Sequence, residues 1–282
     1  MTMLLFALLL WTPPSPPAEQ AIGSVTLLEG SLKLIRGASV YPGVEGMHLR
    51  RGDILETSAN AFAQFEMPSA VVVLGPQSRL YILPSGGSVG GRPISLDLIL
   101  LNGWLKFESA NPKALYRVRT PLLAATTSGG TLLVHSVASA CDIFLESAGA
   151  TSLSEVSANG DTGSPTQAKV GQFFSRQASA AVSIVARPSP TFLDAMPRQF
   201  RDTLPPRQDP DLDKPVELKA EHPVSFEEIE PWLKLPATWR RGLAQRFSPR
   251  LADPSFRKQI ESHLREFPEW DPILHPKKSE SP

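Results

Sequence analysis

The stretch "GMHLRRGDILETSANAFAQFEMPSAVVVLGPQSRLYILP", Gly46 to Pro84, decides the fold class. Apolar and polar residues alternate along it, Gly52-Asp53 interrupts the alternation, and the alternation then resumes. A period of two places every second side chain on one face of an extended chain, so the stretch reads as short β-strands. Gly52-Asp53 invites three readings: a catalytic loop, a ligand site or a corner. A corner fits the chemistry, because glycine reaches positive φ without steric cost and a short polar neighbour satisfies the freed amide. A catalytic aspartate needs a partner acid, base or metal ligand, and the neighbouring segments offer none at suitable spacing.

The same pattern extends outward from Ile22 to about Arg187, through "SVTLLEGSLKLIRG", "ISLDLILLNGWLKFES", "YRVRTPLLAATTSGGTLLVHS", "CDIFLES" and "QFFSRQASAAVSIVA". These segments are rich in Val, Ile, Leu and aromatics and end on Gly, Pro, Asn or Ser. Gly75-Pro76 and Asn102-Gly103 match the corner signal of Gly52-Asp53, and Glu29-Gly30 marks a hairpin or tight corner. No stretch here keeps apolar residues at helical spacing for three turns. The region is all-β, a sandwich or a solenoid of short strands. Ser147 to Lys169 has few large apolar residues and reads as exposed strand and loop.

Beyond it the grammar changes. Residues 188–224 form a Pro-rich linker in which Phe192, Leu193, Met196 and Phe200 are spaced to dock a helical turn or two back onto the β region. Residues 225–282 form a small helical unit. Ser225 and Glu228 make a capping box, with Pro231 limiting or kinking the helix that follows. Thr238 is read as the N-cap of a helix carrying Trp239, Leu243 and Phe247 on one stripe. Asp253-Pro254 starts a last helix that buries Phe256, Ile260, Leu264 and Phe267 and stops at Pro268. At the other end, residues 1–21 read as a signal peptide: the apolar run Met3 to Trp11 is far shorter than the roughly 20 residues a spanning helix needs, and small residues follow at Ala18 and Ala21. Export to the periplasm of a Gram-negative bacterium is the expected localisation, with no membrane span after signal removal.

Composition narrows the function classes. The 28 basic residues balance 28 acidic ones, so no net field steers the chain towards nucleic acid. The single cysteine, Cys141, cannot form an internal disulfide, and no Cys/His spacing suggests zinc. His48, His135, His222, His263 and His275 are scattered without ligand spacing. "PSGGSVGG", Pro84 to Gly91, lacks the lysine and following helix of a phosphate loop. No GxSxG elbow occurs. No catalytic residue, cofactor or metal ligand is expected, and the chain reads as non-enzymatic.

The β region, about Ile22 to Val185, resembles the FecR domain, the extracytoplasmic module of iron-uptake sigma regulators. The residues carrying the resemblance are Gly23 and Val25, the paired strands of "LEGSLKLIRG", then Leu49, Gly52, Asp53, Ile54 and Thr57 of "HLRRGDILET". "AVVVLGPQSRLYI", then Leu101, Gly103 and Leu105, then Tyr116, Val118, Thr120 and Pro121, and finally "KVGQFF" follow in order. The chain departs from the family at Ser69-Ala70, where Asp-Gly is usual, and at "TTSGG", Thr126 to Gly130. The anti-sigma domain and membrane helix of the sigma regulators are absent, which speaks against direct anti-sigma activity. The resemblance implies a β-solenoid-like or β-roll fold without a catalytic site, used for protein contact or envelope binding.

The expected function is a periplasmic adaptor in envelope sensing or assembly that holds a protein partner against a β edge or the helical tail. In the tail, Trp232, Trp239 and Trp270 with Arg240 and Arg241 gather residue types enriched at binding hot spots and sugar-stacking surfaces. These are the candidate partner-binding residues, and peptidoglycan or another glycan is the alternative ligand. The same tryptophans would also fill the core of so small a unit.

Overall fold

The structure is a computed structural model, described for residues 20–84, 87–147, 149–201 and 216–276. Residues 1–19 of the leader read over 1–21, Ser85 and Gly86 of the Gly-rich segment, and linker residues 202–215 lie outside the described residues, while Ala21 already belongs to the first strand.

The β region is one antiparallel sheet that folds over on itself into two facing layers. The first layer runs β4 (His48–Arg50), β1 (Ala21–Glu29), β6 (Phe62–Met67), β7 (Ala70–Leu74), β11 (Leu96–Ser109), β14 (Gly130–Val137), β15 (Ala140–Leu145), β18 (Phe173–Gln177), β19 (Ser183–Val185). The second runs β20 (His222–Pro223), β3 (Ser39–Pro42), β2 (Leu32–Arg36), β5 (Ile54–Thr57), β8 (Arg79–Ile82), the start of β11, β12 (Tyr116–Arg119), β13 (Leu123–Ser128), β16 (Ala150–Glu155), β17 (Thr166–Ala168). β11 and β12 are parallel, and a short ladder of β9 (Ser88–Val89) with β10 (Arg92–Pro93) stands apart.

β11 belongs to both layers, and the bend that allows this is at Asn102-Gly103. The register against β8 slips between Leu100 and Asn102, and Gly103 has φ +94°. Before the slip the even residues Leu98 and Leu100 face the central core; after it the odd residues Leu105 and Phe107 do. A Cβ on Gly103 would sit 2.3 to 2.7 Å from Ser78, so only glycine fits. Gly75-Pro76 is built differently from the expectation. Gly75 has no positive φ; the left-handed residue of that corner is Gln77, at φ 51°. Gly75 is needed for space instead, since its Cβ would come within 2.9 Å of Trp104 and 3.2 Å of Pro197.

The alternation read from the sequence thus serves three cores. Side chains between the layers, among them Val25, Phe65, Val72, Leu100, Phe107 and Ile143, make the central one. On the outer face of the first layer, Phe62, Val73, Trp104 and Phe173 are covered by Phe192, Met196 and Phe200, from α1 (Pro190–Ala195) and the turn after it; Leu193 points to solvent. On the outer face of the second layer, Ile35, Ile54, Tyr81, Ile99 and Ala124 are covered by the helical tail. Among the described residues no helix is long and apolar enough to cross a membrane.

The tail holds α2 (Phe226–Leu233), α3 (Leu243–Phe247), α4 (Pro254–Ser262) and α5 (Asp271–Leu274). The capping box is present: Ser225 Oγ accepts from the Glu228 amide, and Glu228 accepts from the Ser225 amide. Two boundaries differ from expectation. The helix read from Thr238 begins at Leu243, because Gly242 stands at φ +85° and leaves Trp239 in a turn. The last helix stops at Ser262, because His263 leaves the helical region (φ −108°, ψ 15°), and residues 263–266 form turns before Pro268.

Cys141 is fully buried in the central core, and burial pushes its thiol up from 9.0 to about 12. The unfolded thiol ionises near its ordinary value, so the contribution to stability is present below pH 9 and is lost as pH rises from 9 towards 12. Within that window the Cys141→Ser variant is expected to lose about 1.4 kcal/mol less per pH unit than the parent, measured by urea unfolding at stepped pH. Equal slopes would place Cys141 near water.

Candidate partner-binding edge

Each layer of a curled sheet that does not close has two edges, and an uncovered edge offers unpaired N–H and C=O groups to another strand. Every edge strand of the two layers among the described residues is short, β20 with two residues and β4, β17 and β19 with three each. At one end β20, of which one residue is proline, pairs along β3, and β4 is followed by Arg51 and Gly52. At the opposite end lie β17 and β19, each paired on one side alone among the described residues.

The apolar side chains at this second end are exposed. Val170 is 55 %, Ile184 42 % and Val185 46 % accessible. Between the last strands of the two layers a cleft of about 250 Å³ opens, floored by Leu123, Leu153 and Phe174 and rimmed by Val182 and Ile184. Its walls are held rigidly. Arg176 donates to the carbonyls of Leu122 and Val156 and pairs with Glu155, whose Oε1 accepts from the Val182 amide at 2.9 Å. The arrangement can accept an extended segment by backbone hydrogen bonding, with an apolar side chain seated in the cleft.

The candidate residues of the tail lie elsewhere and do other work. Trp232 and Trp270 are completely buried and Trp239 is 4 % accessible. Trp232 donates to Glu56 Oε1 at 3.1 Å and meets Tyr81 edge-on at 6.1 Å. Trp239 donates to the Gly160 carbonyl at 3.0 Å and lies against the Arg119 guanidinium at 5.2 Å. Trp270 packs on Phe256. Arg240 is tied to Glu269 and to the Leu233 and Glu266 carbonyls. Arg241 stays exposed. The hot-spot reading of the three tryptophans is therefore corrected: the second layer has an apolar outer face, and the indoles are consumed in covering it, which removes the stacking surface on which glycan binding rested.

Arginines unassigned from the sequence fasten that cover. Arg246 of α3 donates to the carbonyls of Ile35, Gly37 and Gly52, so the tail grips the Gly52-Asp53 corner from outside. From inside, the buried Asp53 carboxylate accepts from Arg36 Nε and Nη2 at 2.9 and 2.7 Å and from the Arg50 amide at 2.7 Å. Further along the same face Asp97, fully buried, accepts from both Arg117 and Arg119; burial lowers the Arg119 pKa, and Asp97 opposes that shift. Charges that pair 17 to 22 residues apart carry no local pattern, which is why they escaped the sequence reading.

No family model matches the chain, and no curated protein matches it. Two solved structures are similar in part. Both are of "a putative anti-sigma factor" from Parabacteroides distasonis ATCC 8503, at 1.65 and 2.50 Å resolution. The first is 11 % identical with a TM-score of 0.39, covering 48 % of this chain and 59 % of its own. The second is 12 % identical with a TM-score of 0.40, covering 50 % and 64 %. The chain thus spans less than two thirds of either.

Proposed function

We propose that this protein is a non-enzymatic, FecR-like adaptor of the bacterial periplasm that binds an extended segment of a partner protein along β19 and β17. The fold is read as a FecR-type β-roll, in keeping with the positions that carry the resemblance: Gly52 and Gly103 are left-handed corners, and Asp53 is a buried anchor of one of them. The observation that carries the binding reading is the asymmetry of the edges. The edge strands are short at both ends, but among the described residues β17 and β19 lie beside exposed Val170, Ile184 and Val185 and an apolar cleft, whereas β4 and β20 carry no exposed large apolar side chain. Signalling or assembly in the envelope is the role such an adaptor would serve.

The test is capture from envelope extract with the tagged protein and an Ile184→Lys, Val185→Lys double variant. Both positions are exposed, so stability should move by no more than about 0.5 kcal/mol. Capture of the specific partner is expected to fall at least about tenfold. Undiminished capture by the double variant would place the partner elsewhere.

A further inference from the structure

A second concavity lies far from β19 in the fold, and its chemistry is of another kind. A cleft of about 470 Å³ opens where the start of β1, the turn between β6 and β7, and the starts of β11 and β12 meet. That volume is within the roughly 300–1,000 Å³ of small-molecule sites. Its walls are mainly apolar, with Ile22, Met67, Ala70, Leu96 and the Tyr116 ring. The Tyr116 hydroxyl is already bonded to Ser69 and Ser109, which makes that wall stiff.

One charged side chain lines the cleft, Arg51. Its Nη2 donates to the Ser95 carbonyl at 2.7 Å, while its Nη1 is buried without a hydrogen-bond partner among the described residues. Among the described residues no acidic side chain lines the cleft and no ion pair engages Arg51. A guanidinium N–H left unsatisfied in an apolar setting is costly, and the group that relieves it best is an anionic oxygen. One free donor and one positive charge suit a carboxylate; a phosphate dianion asks for several donors. The apolar walls ask for an apolar body behind the charge.

We propose that the Arg51 cleft binds a small amphiphilic carboxylate, with the carboxylate on the Arg51 guanidinium and the apolar body against Met67, Leu96 and Tyr116. Gln20 and Ala21 also line the cleft, so it belongs to the full chain; binding here and binding at the β17/β19 edge can each fail alone.

The probes are octanoate and its neutral counterpart octan-1-ol, titrated into full-length protein carrying ¹³C-methyl methionine. With octanoate the Met67 methyl resonance should move saturably, while that of Met196, packed on the outer face of the first layer, stays fixed. Octan-1-ol should bind the parent more weakly than octanoate does. Arg51→Met should weaken octanoate at least about tenfold and leave octan-1-ol unchanged. A motionless Met67 signal, equal affinity for the acid and the alcohol, or an unaltered octanoate affinity in Arg51→Met would each overturn the proposal. If Arg51→Met loses the native Met196 signal, the acid-to-alcohol comparison on the parent protein decides alone.

Discussion

Trp232→Ala is expected to lower the unfolding free energy by about 3–5 kcal/mol, the range for removing a large aromatic side chain from a closed core. The indole is fully buried between α2 and the second layer, touches Tyr81, and satisfies Glu56, which also pairs with Lys33 at 2.8 Å. Truncation leaves a cavity at the junction of tail and sheet and removes one donor from a carboxylate that is itself mostly buried. The loss should be visible in urea unfolding. Hydrogen exchange should rise across the tail and across Ile35, Ile54 and Tyr81, the sheet positions that the tail covers. A loss under about 1 kcal/mol would mean that the tail is not docked as described.

Asp53→Ala comes next in size, at about 3 kcal/mol. Removing one partner of a buried ion pair leaves the other charge without compensation, which is worth roughly 3–5 kcal/mol when both groups are buried. Arg36 retains some solvent contact and a bond to the His48 carbonyl at 2.7 Å, so the lower end applies. Asp53→Asn keeps an acceptor for the Arg50 amide and should recover part of the loss. The pattern matters for the reading of Gly52-Asp53: an anchor of a corner loses stability when changed and leaves partner capture intact at temperatures where the variant is folded. Capture that fails in fully folded Asp53→Asn would make the corner a binding element.

The β class was legible because its signal is local. Alternation along "RLYIL" or "YRVR" and the corner glycines Gly52 and Gly103 are visible within a few residues, and the structure uses Leu80, Ile82, Tyr116 and Val118 as that alternation requires. Pairing was not legible. β14 lies beside β11 and β16 beside β13, joined across stretches that hold other strands, and nothing local marks those partners. The phase flip in β11 was hidden for a related reason: "LILLNGWLKF" shows a turn signal, but the chain continues as one strand through it, because Ser78 accepts the Trp104 amide at 2.8 Å and braces the bend.

The tail shows where residue type misleads. Trp and Arg clustered in a short helical unit describe a binding surface and a small core equally well, and the deciding fact, the apolar outer face of the second layer, is contributed by Ile35, Ile54 and Ile99 more than a hundred residues away. The docking of Phe192, Met196 and Phe200 was readable from their spacing, although Leu193 of the same group faces solvent and only Phe192 of the three lies within α1. The exposed edge was the reverse case: "VSIVA" reads as an ordinary strand, and it becomes a candidate site because the described strands supply no neighbour for it.

Site-specific photo-crosslinking in the intact envelope tests the central claim most directly. A photoreactive residue is placed singly at Val170, Ile184 or Val185 on the open edge, and at Glu227, Arg241 or Lys258 on the exposed surface of the tail. The expected result is one specific adduct from the edge positions and none from the tail. Adducts from the tail positions with a silent edge would contradict the account.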